Sequence, residues 1–412
     1  MSNSLVWRRR TLPNGLTVLL YPRASSNTAQ LSVAVKYGSI QEPKEQAGIA
    51  HFLEHMLAGG SDRRIQLSRS IEDSGGVLDF YTDREYVLGT VDVLPHKLRD
   101  ASAILSELFF GNAFDEQKFE TEQKIILHEL AEVADDPPTR AEELLLEGLF
   151  KEHPVRRPVG GYPKTVETLT LNRLRQEHQA NYVPQNMVLV LSGNFTEKDA
   201  VEALGNFQNC KCAGSISEKA YPTETFKPDP LTVEEKPGLT QTYLSVGART
   251  VCSSHPDAPA LDLISILLGG GTSSRLFIEL REKNAVTYDV DCTHSKGFSF
   301  GYFSINCAAN SKTAEKAKSL IFKELAKLQS EPVSEGELER AKQIMLGGVL
   351  RGMDNPDAAL DILAFIEIQY GDEHALESYL AKRKALTSAE IQKVAAKYLN
   401  QDCLCTVKLK PT

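Results

Sequence analysis

The sequence lacks the features of several large classes of protein. Its 412 residues contain no apolar run near the ~18 residues that span a membrane. Basic residues are in deficit, 46 against 55 acidic ones, so nucleic-acid binding is not expected at a net charge of −9. The first residues lack the apolar core of a secretion signal, which predicts a cytoplasmic protein without a membrane partner.

Cysteine is also scarce. There are seven, an odd number, and none precedes Cys210, so a disulfide framework is not expected in a chain of this length. Cys210/Cys212 and Cys403/Cys405 are CxC pairs rather than the CxxC pairs typical of structural zinc sites. The last pair shares strand parity with the apolar residues that follow it, which favours burial in a core.

One short segment has a clear chemical pattern. His51, Glu54 and His55 stand at i, i+3 and i+4, so a helix places them on one face, and the glycine pair Gly59-Gly60 ends that helix. Two imidazoles one turn apart can bind one zinc ion at about 2.0–2.1 Å, and Glu54 can accept a proton from water there. The HxxEH spacing indicates an inverted zinc-peptidase motif, although a polar helix face can also carry these residues by chance.

A catalytic zinc normally has three protein ligands and leaves its fourth position for water, so one more ligand is needed. The helix predicted over residues 115–134 offers five glutamates: Glu116, Glu120, Glu122, Glu129 and Glu132. Glu122 and Glu129 lie seven residues apart and therefore share one helical face. Taken alone, these glutamates also fit an ordinary solvated face, and the pattern does not select one of them as the ligand.

The order of predicted elements occurs twice along the chain. Strand, helix, glycine corner, helix, two strands and helix appear in each half, and residues 58–61 (Ala-Gly-Gly-Ser) match residues 269–272 (Gly-Gly-Gly-Thr). The same offset places Asp262, Ser265 and Ile266 where the first half has its HxxEH residues. We therefore predict an α+β fold of two homologous domains from an internal duplication, each an antiparallel-rich β-sheet covered by α-helices.

A change of composition suggests the boundary between these domains. Residues 214–237 contain four prolines and little periodicity, which is typical of a linker. The prediction is an N-terminal zinc-binding catalytic domain over residues 1–213 and a homologous C-terminal domain without a metal site over residues 238–412.

These motifs together resemble the pitrilysin and mitochondrial processing peptidase family of inverted-motif zinc metallopeptidases, in its single-length form. The resemblance rests on HxxEH followed by an ExxxxxxE pair, and it covers nearly the whole chain. It implies that Glu129 is the third zinc ligand beside His51 and His55. It also implies that Glu122 does not bind the zinc but holds a ligand histidine or the water in its orientation. Glu132 stays as an alternative ligand, because the gap from His55 to Glu129 is short for the family.

The second half resembles the Arg/Tyr element of the same family. Arg281 and Tyr288 are seven residues apart, as the family's pair is. In relatives the two residues bind the substrate backbone and help to stabilise the tetrahedral oxyanion, a role for which a guanidinium and a phenol O–H are suitable donors. Without the resemblance, the simpler interpretation is that Arg281 lies at a helix end, that Tyr288 lies on a strand, and that both only pack against neighbouring residues.

The resemblance also implies a function and partners. We expect a zinc-dependent endopeptidase with one Zn²⁺ per chain, in which Glu54 is the general base and then the acid. Its substrate would be a peptide or an unfolded polypeptide bound by β-strand addition in a closed chamber, formed by a homodimer or a heterodimer with a homologous subunit. The alternatives are a non-catalytic partner subunit, which the intact motif disfavours, and a metallohydrolase with non-peptide substrates.

One departure from the family concerns the strand after the first glycine corner. The family commonly has Asn-Ala there, whereas this chain has Asp79-Phe80. The change adds a charge and a bulky ring beside the expected cleft, so the resemblance does not determine the cleavage-site preference of this chain.

Overall fold

The structure is a computed structural model that describes residues 7–111, 113–210 and 220–412. The start of the chain, Cys212 and the first part of the predicted linker, residues 214–219, lie outside the described residues. The six cysteines that the structure describes are free thiols; Cys405 is buried and Cys403 is half-buried.

The described strands form two sheets. The first sheet has six strands: β1 (Arg8–Thr11), β2 (Thr17–Pro22), β3 (Ala29–Val35), β4 (Val77–Thr82), β5 (Val87–Val93) and β6 (Met187–Gly193). The second sheet has five strands: β7 (Thr232–Glu235), β8 (Thr242–Arg249), β9 (Thr287–Lys296), β10 (Gly301–Ala309) and β11 (Leu404–Lys410).

The two sheets have the same topology. The strand order is β1-β2-β6-β3-β5-β4 in the first and β7-β11-β8-β10-β9 in the second. One pair in each sheet is parallel, β2 with β6 and β7 with β11, and the other pairs are antiparallel. Apart from the additional edge strand β1, order and direction correspond throughout, which confirms the predicted pair of homologous, antiparallel-rich α+β domains.

Helices cover both sheets. The α-helices before β7 are α1 (Ile49–Gly59), α2 (Asp62–Asp73), α3 (Leu98–Phe110), α4 (Glu116–Asp135), α5 (Pro137–Leu149), α6 (Pro163–Thr168), α7 (Leu171–Asn181) and α8 (Glu197–Gln208). Those after β7 are α9 (Ala258–Gly269), α10 (Ala314–Ser330), α11 (Glu335–Asp354), α12 (Pro356–Tyr370), α13 (Ala375–Ala385) and α14 (Ser388–Tyr398). Residues Phe277–Lys283 form a π-helix. None of the described helices is long and apolar enough to cross a membrane.

Contacts divide the chain into two units that do not follow its linear halves. The first unit combines the residues up to 131 with 157–220 and 351–373, and the second combines 132–156 with 221–350 and 374–412. Helix α12 thus packs on β3 and β6 of the first sheet, and α5 packs on β8 and β11 of the second. The segment predicted as a linker contributes β7, which alternates half-buried and exposed residues and whose backbone pairs with β11.

Polar contacts attach α12 to the first sheet. Arg9 on β1 forms a two-bond ion pair with the buried carboxylate of Glu367, with both N–O distances 2.9 Å. The Tyr81 hydroxyl on β4 donates to Asp361 at 3.1 Å. Strand β3 is buried along its whole length, because helices cover both of its faces.

The helix of the second unit that corresponds to α1 carries a buried ion cluster. Asp262 on α9 takes the place of His51, and it lies 2.6 Å from His294 Nδ1, 2.6 Å from Lys296 Nζ and 3.0 Å from Arg383 Nε. Burial would raise the pKa of the Asp262 carboxyl, but the neighbouring Lys296, His294 and Arg383 hold this pKa well below its usual range.

Replacing Asp262 should destabilise the second unit strongly. Asp262→Ala leaves two buried cations and His294 without their carboxylate, so the free energy of unfolding should fall by about 3–5 kcal/mol in urea titrations. Because the pKa is depressed in the folded state, the contribution of Asp262 should be complete at neutral pH and should be lost as the pH falls below about 4. Asp402→Ala, at an exposed position, is the control; equal unfolding midpoints for the two variants would contradict the prediction.

Candidate metal centre

Helix α1 has two distinct faces. Its apolar residues Phe52, Leu53 and Met56 are completely buried in the core of the first unit, whereas the three HxxEH side chains are only partly buried. The helix begins after Gly48, whose φ of 100° lies in the left-handed region that favours glycine. The burial of one face fixes the rotation of the helix, so that the opposite face presents both imidazoles in the same direction.

Helix α4 brings the third metal-ligating group. The Oε2 atom of Glu129 lies 3.2 Å from His55 Nε2 and 3.8 Å from His51 Nε2. One ligand atom from each residue lies within 4.8 Å of the other two. Tetrahedral zinc with bonds of about 2.0–2.1 Å holds neighbouring ligand atoms about 3.4 Å apart, so these three side chains fit a zinc ion. In the described part of the chain, this is the one such group of His, Cys, Asp or Glu, and the exposed Glu132 is outside it.

Glu122 stands behind one of the imidazoles. Its Oε2 lies 3.1 Å from His55 Nδ1, the ring nitrogen that faces away from Glu129. Such a contact fixes the tautomer and the orientation of a ligating histidine. The carboxylate passes directly over the end of α1, where a Cβ atom on Gly59 would lie 2.2 Å from Glu122 Oε1. The glycine of the corner therefore leaves space for this carboxylate as well as ending the helix.

Glu54 lies beside the cluster without being part of the group of three. Its Oε2 accepts a hydrogen bond of 3.3 Å from Thr82 Oγ1 at the end of β4, and it lies 3.8 Å from His51 Nε2. Burial raises the pKa of the Glu54 carboxyl. The hydroxyl of Thr82 is a site contact that sequence reasoning missed, because one threonine on a strand gives no distinguishing signal.

The two imidazoles titrate differently in the metal-free protein. Burial, reinforced by the neighbouring His55, lowers the pKa of His51 to about 4, so His51 is neutral and available as a ligand. Burial also disfavours protonation of His55, but its hydrogen bond with Glu122 and the charges of Glu54 and Glu129 outweigh burial and raise the pKa of His55. A bound cation would replace the proton on His55, so metal binding by this group releases protons.

Arg281 and Tyr288 contact each other in the second unit. The Arg281 guanidinium lies between two rings, with its carbon 4.5 Å from the centre of Tyr288 and 4.8 Å from that of Phe277. Tyr288 is 80% exposed near the start of β9. The cation–π contacts hold the guanidinium in place and leave the phenol hydroxyl open to solvent.

Strand β4 is an edge strand next to the metal-ligating helix. It pairs with β5 on one side and is the outermost strand of its sheet. The ring of Phe80 packs toward Phe109 over Gly89, where a Cβ atom would lie 2.6 Å from the Phe80 ring. Asp79 is exposed on the same strand. Of the two departures from the family pattern, the phenylalanine is therefore accommodated by a glycine, and the aspartate places its charge at the surface.

Known proteins of one family match both halves of the chain. Residues 17–162 match the model of Insulinase (Peptidase family M16), and residues 168–345 match that of the Peptidase M16 inactive domain.

An uncharacterized zinc protease of Rickettsia bellii is 30% identical, over 80% of this chain and 80% of its own. One of Mycobacterium leprae is 28% identical, over 95% of this chain and 89% of its own. The crystal structure of a protease from Helicobacter pylori, 22% identical, has the same fold, with a TM-score of 0.89 over 98% of this chain and 99% of the other. The chain therefore belongs to peptidase family M16, the pitrilysin-type family that its motifs resemble.

Proposed function

We propose that this protein is a zinc-dependent endopeptidase that hydrolyses peptides or extended, unfolded polypeptide segments. The observation that carries the proposal is the convergence of His51, His55 and Glu129 at zinc-ligand distances, with the carboxylate of Glu54 beside them. Membership of the family and relatives that are named zinc proteases support it.

Glu54 performs the proton transfers in this proposal. When bound, a zinc ion polarises the substrate carbonyl and lowers the pKa of water to about 7. Glu54 takes the proton from the attacking water and later delivers it to the nitrogen of the leaving amine. Its burial suits both steps, because the raised pKa brings the carboxyl closer to neutral pH. The hydrogen bond from Thr82 keeps the carboxylate turned toward the cluster.

The second unit contributes to substrate binding and to the transition state in this proposal. Arg281 and Tyr288 bind the substrate backbone and donate hydrogen bonds to the oxyanion. Their mutual packing and the exposed hydroxyl of Tyr288 support this role. At the position of the second unit that corresponds to His51, Asp262 forms ion pairs with neighbouring cations; the family model that residues 168–345 match is that of the Peptidase M16 inactive domain.

The substrate joins the first sheet as an additional strand. Among the described strands, β4 is an outermost strand of this sheet and lies next to Glu54, so an extended peptide can pair with its outer edge. This favours extended peptides over folded proteins.

We also propose that two chains, either identical or a catalytic chain with a homologous subunit, enclose the substrate in a chamber. A non-catalytic role as such a subunit is the alternative, and it requires a chain that binds no zinc.

Zinc content tests the proposed ligands. His51→Ala, His55→Ala and Glu129→Gln should each weaken zinc binding by more than the ~10–100-fold that is typical of losing a supporting residue. Metal analysis of the purified protein should give one zinc per chain for the wild type. Glu132→Gln, on the same helix, is the matched control; loss of zinc from Glu132→Gln with retention by Glu129→Gln would transfer the ligand role to Glu132.

Glu54→Gln separates metal binding from proton transfer. The variant keeps the size of the side chain but has no basic oxygen, so cleavage of an internally quenched peptide should fall by about 10²–10⁴-fold. Zinc content should stay at the wild-type level, because Glu54 is not a proposed ligand. A Glu54→Gln protein with full activity would exclude this mechanism.

Removing the proposed oxyanion donors should lower kcat. Tyr288→Phe and Arg281→Ala should each reduce kcat by about 10²–10³-fold, the effect of losing one such donor, with unchanged zinc content. Lys283→Ala removes an exposed cation from the same π-helix and is the control for Arg281. Peptide kinetics that do not distinguish the three variants from the wild type would exclude a role for the pair.

A further inference from the structure

The two candidate histidine ligands are supported differently. A ligating histidine usually donates its second ring N–H to a carboxylate, a carbonyl or water. His55 has Glu122 for this contact. The corresponding Nδ1 atom of His51 is buried and has no hydrogen-bond partner among the described residues. No hydrogen bond at Nδ1 fixes the orientation of the His51 ring, so the position of this ring depends on the backbone that carries it.

The backbone at the start of α1 is held by a carboxylate from outside the helix. Gly48 occupies the N-cap position and has no side chain to cap the first turn. Glu42, which is only 5% exposed, supplies both oxygens instead: Oε2 accepts from Gly48 N at 2.9 Å and Oε1 from Ala50 N at 2.8 Å. These are N–H groups that a helix cannot satisfy internally. Burial raises the pKa of the Glu42 carboxyl to about 8, and the two backbone hydrogen bonds oppose that rise.

A buried arginine holds the segment that carries Glu42. The Arg157 guanidinium donates to the carbonyl of Glu42 at 3.0 Å and to that of Ser39 at 3.3 Å. Arg157 is itself 8% exposed, so these bonds lie away from competing water. The carboxylate of Glu42 is thereby fixed relative to the rest of the first unit.

The loop after Arg157 and the start of α6 lie against the segment that leads into α1. The Thr165 hydroxyl donates to the carbonyl of Ala47 at 2.6 Å. A Cβ atom on Gly161 would lie 2.1 Å from that carbonyl, and one on Gly160 would lie 3.6 Å from His51 Nδ1 and 2.8 Å from a Leu130 methyl group. Backbone, rather than a polar side chain, therefore borders the far side of the His51 ring.

We infer that Glu42 is a positioning residue of the proposed metal centre: by fixing the first turn of α1, its carboxyl group places the His51 ring, whose Nδ1 atom has no hydrogen-bond partner among the described residues. The inference rests on the proposed zinc site. It assigns His51 and His55 two different supports, a capped helix start for the first and the carboxylate of Glu122 for the second.

Zinc affinity, compared with stability, tests the inference. The variants are Glu42→Gln, which keeps the side-chain volume, and Glu42→Ala; the matched controls are Glu45→Gln and Glu45→Ala, at an exposed position three residues further along. Three quantities would be measured on the full chain: the zinc dissociation constant in competition with a chromophoric chelator, the absorption spectrum of the cobalt-substituted protein, and the thermal midpoint of the metal-free protein.

We expect both Glu42 variants to bind zinc at least about tenfold more weakly than the wild type, with an altered cobalt spectrum. The Glu45 variants should stay within twofold of the wild type in affinity and should keep its spectrum. This result separates positioning from general stabilisation, because a merely structural role would lower the thermal midpoint without changing the affinity or the spectrum of the folded fraction.

Four outcomes would decide against the inference or its premise. Wild-type affinity in folded Glu42→Gln and Glu42→Ala would overturn it, and so would equal losses in the Glu42 and Glu45 variants. If neither Glu42 variant folds, the carboxylate is a requirement of folding and not a positioning residue. Failure of the wild type to bind zinc would instead overturn the proposed function.

Discussion

The burial of one face of α1 is the constraint on which the metal centre depends. The apolar residues of this helix lie in the core of the first unit, so the helix cannot rotate without exposing them. Both imidazoles therefore point in one direction, and a single carboxylate from α4 completes the group. The free energy of hydrophobic burial thus fixes the geometry of three polar side chains that contribute little to the core themselves.

The duplicated architecture has been used in two ways. The same strand order and the same helix position carry two imidazoles in the first unit and a carboxylate surrounded by cations in the second. Both arrangements place charged or metal-ligating groups on a largely buried helix, where an unpaired charge would be costly. A bound metal ion would compensate the carboxylates in one copy, and Lys296, His294 and Arg383 compensate Asp262 in the other.

The sequence allowed prediction of the features that repeat or that have periodicity. The helix over 115–134, close to α4 (Glu116–Asp135), followed from regular spacing, and so did the two similar sheets. The choice of Glu129 came from resemblance, because periodicity placed Glu122 and Glu129 on one helical face but did not select a ligand among the five glutamates. Thr82 and Glu42 were missed, since one acts through a single side-chain contact and the other through backbone N–H groups six to eight residues away. Helix α5 packs on the second sheet and α12 on the first, so each helix covers the sheet of the other half of the chain. The sequence contains no signal of this exchange, because an amphipathic helix fits any sheet that offers an apolar face.

This exchange has a consequence for the order in which the protein can fold on the ribosome. The sheet beside the metal centre consists of strands from the first 193 residues, yet its outer face is covered by α12, residues 356–370. The N-terminal unit is therefore unfinished until most of the chain has been synthesised, with long-range contacts forming last. For the same reason, the hydrogen bond from Tyr81 on the edge strand β4 to Asp361 can form only after α12 has been synthesised. A nascent chain would complete this edge strand, at which we propose that peptides bind, only when almost the whole polypeptide is available.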